Sequence, residues 1–121
     1  MRAVIQRVTA GAVSVGGEEV SRIGPGLVVL LGVSWEDGSE QARRMADRIR
    51  KLRIFSDDEG RMNEALGDRE VLCISQFTLY ADTRKGRRPS WNAAAPGPVA
   101  EPVVEQVVQA QGLDDEIVRR N

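Results

Sequence analysis

Apolar and polar positions divide the chain into an alternating opening, a helical stretch and a mixed second half. Residues 2–8 (RAVIQRV) predict a first strand, with Arg7 a cation set among β-formers. Residues 12–15 and 18–23 flank Gly16-Gly17, a pair that predicts a two-residue hairpin turn because glycine tolerates positive φ. Gly24-Pro25-Gly26 turns the chain again. Residues 27–33 (LVVLLGV) are then continuously apolar, the pattern of a central strand covered on both faces. The opening therefore reads as a β-meander.

Residues 34–38 read as a loop, with Ser39 as N-cap of a helix and Glu40 near its positive end. Ala42, Met45, Ala46, Ile49 and Leu52 follow at helical spacing. Arg43, Arg44, Arg48 and Arg50 could touch phosphates, but the neighbouring acids favour a solvated face. Residues 52–55 (LRIF) predict a short strand leading into Ser56-Asp57-Asp58-Glu59-Gly60. That acidic run lacks the alternating ligands and terminal glutamate of a calcium loop, so it reads as an acidic turn. After residues 93–98, a linker whose prolines resist helix, Val103, Val104, Val107 and Val108 mark a second helix with Gly112 as its C-terminal cap. The tail DDEIVRRN is polar and too short to form much.

Between the acidic turn and the linker lies the stretch of greatest chemical interest. Residues 71–80 (VLCISQFTLY) read as a buried strand into which Ser75, Gln76 and Thr78 are set, three uncharged polar side chains. A tight basic loop follows, with Arg84, Lys85, Arg87 and Arg88 around Gly86, leading through Pro89 to Trp91. One reading is a site for an anionic, hydrogen-bonding ligand. The other is a core strand with a solvated loop.

Composition narrows the chemistry. A chain of 121 residues with 41% apolar content predicts one domain with a real core. The N-terminus lacks the apolar run of a signal peptide, no stretch reaches the ~20 apolar residues of a membrane span, and the single cysteine, Cys73, excludes an intrachain disulfide. The expectation is a soluble, cytoplasmic protein. A net charge of −1 provides no global basic field, so any nucleic acid would be held by the cluster from Arg84 to Arg88. Histidine is absent, which removes Ser-His-Asp and Cys-His catalysis and any Cys/His zinc set. An enzyme built from this chain must use carboxylates, hydroxyls, backbone dipoles or the substrate's own groups.

Five blocks carry a resemblance: MRAVIQRV, IGPGLVVLLGV, LRIFSDDEGRMN, SQFTLYADTRKGRRPSW and the AAAP segment. In this order, over residues 1 to roughly 112, the chain resembles the D-aminoacyl-tRNA deacylase family, once called D-tyrosyl-tRNA deacylases. The resemblance implies a compact α/β domain spanning residues 1–121, with mainly antiparallel, barrel-like β-sheets and two helices, assembled as a homodimer. It implies hydrolysis of the ester joining a D-amino acid, or glycine on the wrong tRNA, to the 3′-terminal adenosine. No metal or organic cofactor is implied. Ser75, Gln76, Phe77 and Thr78 match the family's SQFT signature at the pocket floor, with Phe77 near the adenosine. Thr78 has been considered a nucleophile in the family; the competing account makes the substrate's ribose 2′-OH the participant, with the protein supplying main-chain donors. With no histidine to activate a bare hydroxyl, the second account is favoured here, with Ser75, Gln76, Thr78 and main-chain N–H groups positioning the ester. Met62 and Asn63 match a segment lining the same pocket, and Arg7 an arginine that braces the chirality-selecting loop. Arg84, Lys85, Arg87 and Arg88 would meet acceptor-end phosphates.

The resemblance also has a gap. Family members continue into strands carrying an Asn-x-Gly-Pro-Val-Thr motif whose cis Gly-Pro enters the partner's pocket and excludes L-amino acids. This sequence stops at Asn121 without it, and Gly97-Pro98-Val99 repeats the letters in the expected linker. A truncated or frame-shifted end is the expectation, with altered association and chiral selectivity as its consequences. The alternative function is a truncated relative that binds tRNA acceptor ends without hydrolysis.

Overall fold

The computed structural model describes residues 1–84, 88–110 and 117–119. The N-terminal alternation becomes strand β1 (Arg2–Val8), followed by the hairpin β2 (Gly11–Val15) and β3 (Glu18–Ile23). Gly16 and Gly17 both take positive φ, 60° and 85°, as the two-residue turn requires. The apolar run forms β4 (Gly26–Gly32), which lies between β1 and β7 (Glu70–Ser75). Its register is Leu31 opposite Ala3 on one side and opposite Ser75 on the other. Helices α1 (Ser39–Lys51) and α2 (Gly97–Ala110) complete the two-helix α/β architecture that the resemblance implies. β1 runs antiparallel to β4, whereas β7 runs parallel to it, so the central sheet is mixed.

Period-two alternation assigns the two faces of this sheet. Leu27, Val29, Leu31, Val71 and Cys73 face α1 and α2, and pack against Ala42, Ala46, Ile49, Val103, Val104, Val107 and Val108. Leu72, Val28 and Ile74 point to the other face, where Val13 and Ile23 of the hairpin cover them. β4 is apolar throughout because it has helices on one side and the hairpin on the other. Burial also pushes the Cys73 thiol up to about 12, so this side chain acts as a core apolar group.

Several local boundaries differ from expectation. Gly38, not Ser39, is the N-cap of α1; its N–H donates to Gln41 Oε1 at 2.9 Å, which leaves Ser39 inside the first turn. Leu52 lies beyond the helix and is exposed. The strand expected at residues 52–55 is β5 (Phe55–Ser56), paired with β6 (Met62–Glu64). Asp57 closes the acidic turn between them by accepting from the N–H groups of Glu59 and Arg61 at 2.9 and 3.0 Å. The Arg61 N–H is the main cause of its lowered pKa.

The expected linker at residues 93–98 runs into α2, which begins at Gly97. Pro96 accepts hydrogen bonds from Val99 and Ala100, both at 2.9 Å, and Pro98 sits in the first turn, where its missing N–H forfeits nothing. Gly97-Pro98 therefore belongs to a helix, and no peptide bond among the described residues is cis. Gly112 lies outside the described residues. The tail does form structure: β8 (Ile117–Arg119) adds to the sheet parallel to β7, with Ile117 opposite Cys73.

Candidate active site

The largest departure from the sequence expectation builds the site. β7 ends at Ser75 instead of continuing to Tyr80, and the Gln76 N–H makes a last bond to the Leu31 carbonyl at 2.8 Å. The chain then closes into a 3₁₀ turn, Phe77–Tyr80. Gly32 explains the change. A Cβ there would lie 3.0 Å from Leu79 Cβ, 3.2 Å from the Gln76 carbonyl oxygen and 3.2 Å from Tyr80 Cδ2. The turn therefore folds onto bare backbone where β4 presents no side chain.

This turn brings Thr78 to the surface and leaves Ser75, Gln76 and Phe77 half-buried. Gln76 Nε2 donates to Thr78 Oγ1, so one lone pair of that oxygen is occupied and its proton remains free to be donated. No carboxylate is hydrogen-bonded to Thr78 among the described residues. The Phe77 ring meets Trp91 edge-to-face, centroids 5.7 Å apart and planes at 68°. Arg2, from β1, braces the turn by donating to the Leu79 carbonyl at 2.8 Å and lying 4.5 Å over the Tyr80 ring. Burial first, and then the Asp37 charge, raise the Tyr80 phenol. Two concavities of about 560 and 390 Å³ flank the turn and share Arg2 and Tyr80; the larger also carries Trp35, which is 59% exposed.

The loop after the turn is tied at its base. Asp82 and Ser90 exchange two main-chain hydrogen bonds, at 2.6 and 2.7 Å, which places Trp91 beside Phe77. Within the loop Arg84 grips both Asp82 oxygens, and its guanidinium and main-chain N–H hold the Asp82 carboxyl at about 2. Arg84 is thus engaged with Asp82 although its side chain is exposed, and Arg88 is exposed as well. Lys85 and Arg87 lie outside the described residues.

The remaining candidates collect elsewhere within the chain. Arg7 donates from Nη1 to the Ile54 carbonyl at 2.8 Å. Its register partner Leu27 lies four residues along β4 from Leu31, the partner of Ser75. With two strand spacings added, Arg7 and Ser75 are about 16 Å apart in the sheet. Met62 and Asn63 sit on the β5–β6 hairpin next to Ile54; Met62 is 64% exposed. Arg53 donates to the Asn63 carbonyl at 2.7 Å and also to its side-chain oxygen. One end of the central sheet thus carries Ser75 to Thr78, Arg7 lies toward the other, and Met62 and Asn63 belong to the separate β5–β6 pair. Arg2 and Trp91 are the contributors that sequence reasoning missed. Their only signal was an exposed cation in β1 and an aromatic closing a basic loop.

Known proteins are similar to this chain in sequence and in fold. Residues 4–118 match the family described as D-Tyr-tRNA(Tyr) deacylase. The chain is 56% identical over 110 residues to a D-aminoacyl-tRNA deacylase of Heliobacterium modesticaldum, a match covering 89% of this chain and 73% of that protein. It is 55% identical over 111 residues to a D-aminoacyl-tRNA deacylase of Kineococcus radiotolerans, covering 91% and 77%. Among solved structures, a c-Myc DNA unwinding element binding protein superposes with TM-score 0.87 at 37% identity, over 98% of this chain and 83% of that one. A structure described as "a probable eukaryotic D-amino acid tRNA deacylase" superposes with TM-score 0.73 at 20% identity, over 93% and 69%, a likeness of fold alone.

Proposed function

The chain belongs to the D-Tyr-tRNA(Tyr) deacylase family, and from that premise we propose that it hydrolyses the ester of D-aminoacyl-tRNA. Mischarged glycyl-tRNA falls within the same proposal, as do assembly as a homodimer and work in the cytoplasm. The observation that carries the chemistry is the turn at Phe77–Tyr80, with Thr78 exposed and its oxygen already accepting from Gln76.

A hydroxyl acting as nucleophile must pass its proton to a base. Thr78 has no hydrogen-bonded carboxylate among the described residues, and the sequence has no histidine. Its remaining capacity is donation. Thr78 accordingly holds the ester in place, and the main-chain N–H groups that open the turn stabilise the developing oxyanion. Water adds to the carbonyl carbon, the bond to the ribose 3′-oxygen breaks, and the neighbouring 2′-OH relays a proton to that leaving oxygen. The products are the free amino acid and tRNA with an intact 3′-hydroxyl. Phe77 and Trp91 offer the adenine an aromatic surface. Arg84 to Arg88 supply cations for the acceptor strand, Arg88 foremost because Arg84 is engaged with Asp82.

The test is deacylation of D-Tyr-tRNA and L-Tyr-tRNA side by side by the 121-residue chain. Cleavage of the D ester supports the proposal. Loss of both esters at equal rates would put chiral rejection outside these residues. A folded protein that binds tRNA and cleaves neither would replace the proposal with acceptor-end binding. Thr78→Ala is expected to keep activity within about 10-fold of the parent, the scale of one lost positioning bond. Abolished turnover with unchanged melting would make Thr78 the nucleophile.

A further inference from the structure

Trp35 sits in the loop between β4 and α1 with its indole exposed to solvent. The loop beneath it is fixed. Ser34 forms an antiparallel bridge with Ala94, and the Ala95 N–H donates to the Val33 carbonyl at 2.9 Å. The indole N–H donates to the Asn92 carbonyl at 3.1 Å, which satisfies the one polar atom of the ring and holds its edge. Asn92 directly follows Trp91, whose ring meets Phe77, so one short segment holds both tryptophans. Trp35 is also a wall of the concavity of about 560 Å³ beside the Phe77–Tyr80 turn, a volume in the range of small-ligand sites. Arg2 and Tyr80 line this concavity and its smaller neighbour alike.

We propose that this concavity takes a second base of a single-stranded RNA end, the one next to the terminal adenosine, stacked on Trp35. The inference rests on the deacylase reading for its ligand and extends the site by one nucleotide. An indole whose edge is already anchored loses little freedom when a base stacks on its face. The acids of the same wall separate a base from a phosphate. Asp37 accepts from the Ser34 N–H at 2.8 Å and pairs with the Met1 amine at 2.7 Å. Glu36 is exposed and makes no ion pair among the described residues. An unpaired carboxylate repels a phosphate but accepts from the exocyclic amino group of a cytosine or an adenine. Arg2 donates through Nη1 to the Leu79 carbonyl and stacks on Tyr80, which fixes its charge between the two concavities. That is where the phosphate joining the two nucleotides passes, and the contact positions the strand without reading sequence.

The experiment compares binding of the full chain to two RNA hairpins that carry no amino acid, at one fixed salt concentration. One ends in CCA; in the other the penultimate nucleotide is abasic. The parent is expected to bind the CCA end about 10-fold tighter, within the range of a single base–aromatic stack. Trp35→Ala is expected to erase that difference by weakening the CCA hairpin alone. Trp35→Phe keeps a ring and loses the anchor to Asn92, and is expected to restore most of the difference. A Trp35→Phe variant that binds like Trp35→Ala would assign the effect to the anchor and overturn the proposal. So would equal binding of the two hairpins by the parent, equal weakening of both by Trp35→Ala, or no binding of either. Neither hairpin contains the ester, so the two readings fail separately. A CCA preference in a chain that cleaves no D-Tyr-tRNA leaves the base site standing, and turnover with equal hairpin binding sinks the base site alone.

Discussion

The two ends of β4 close on their neighbours in opposite ways. At one end Gly26 lies against the main chain of Glu70 so tightly that any Cβ would overlap its carbonyl. At the other, a Cβ on Gly32 would meet Leu79 Cβ, the Gln76 carbonyl oxygen and Tyr80 Cδ2 at 3.0 to 3.2 Å, contacts that the turn could relieve by shifting a few tenths of an ångström. The first contact fixes the spacing of two strands, and the second sets the height of a turn that carries Thr78. The same residue type therefore sets strand spacing at one end and, on the proposed function, the position of a chemical group at the other.

Substituting each glycine separates the two. Gly26→Ala forces β4 and β7 apart and is expected to cost about 3 kcal/mol, at the upper end of overpacking penalties, read as a melting point lower by roughly 10 °C or more. A melting point within a few degrees of the parent would show that the strands can respace freely. Gly32→Ala is expected to cost only about 1 kcal/mol yet lower kcat about 10-fold, because sub-ångström displacement of a positioning group is felt in rate before it is felt in stability. Unchanged kcat would detach the turn from the chemistry.

Smaller effects belong to the ring pair and the loop. Trp91→Ala removes the edge-to-face partner of Phe77 and is expected to raise KM about 5-fold with kcat nearly intact, a loss in the usual range for such pairs. Trp91→Phe should restore it. Acid should act later still. The folded Asp82 carboxyl sits at about 2, below the ~4 of an unfolded aspartate, so its contribution is complete above pH 4 and disappears as pH falls through 2. Trp91 fluorescence in a Trp35→Phe background should show that transition near pH 2, and Asp82→Asn should abolish it. A midpoint near pH 4 in the parent would mean that Arg84 does not hold Asp82 in solution.

The residues that were legible in the sequence are those whose neighbours along the chain decide their structure. Gly16-Gly17 makes its turn by its own φ values, and β4 declares its two covered faces by unbroken apolarity. The 3₁₀ turn was not legible, because nothing in SQFTLY itself stops the strand. What stops it is Gly32, more than forty residues earlier, offering backbone to pack against. The start of α2 was misjudged for a local reason: Pro98 looks like a helix breaker but occupies a first turn, where proline is harmless. Separation of Arg7 from Ser75 within the chain was hidden until the β1–β4–β7 register was known. β8 was overlooked because Ile117-Val118-Arg119 is short and flanked by charged residues, yet it can still exchange main-chain hydrogen bonds beside β7.

The paired hydrogen bonds between Asp82 and Ser90 also bear on how such a protein can diverge. A loop tied at its neck by main-chain bonds can change length without moving the residue that follows. Mutations that add, remove or reverse cations between those two positions can accumulate while Trp91 stays against Phe77. On the proposed function, grip on a nucleic-acid backbone and fit to a terminal base would then be separate heritable traits, and descendants could retune one without relearning the other.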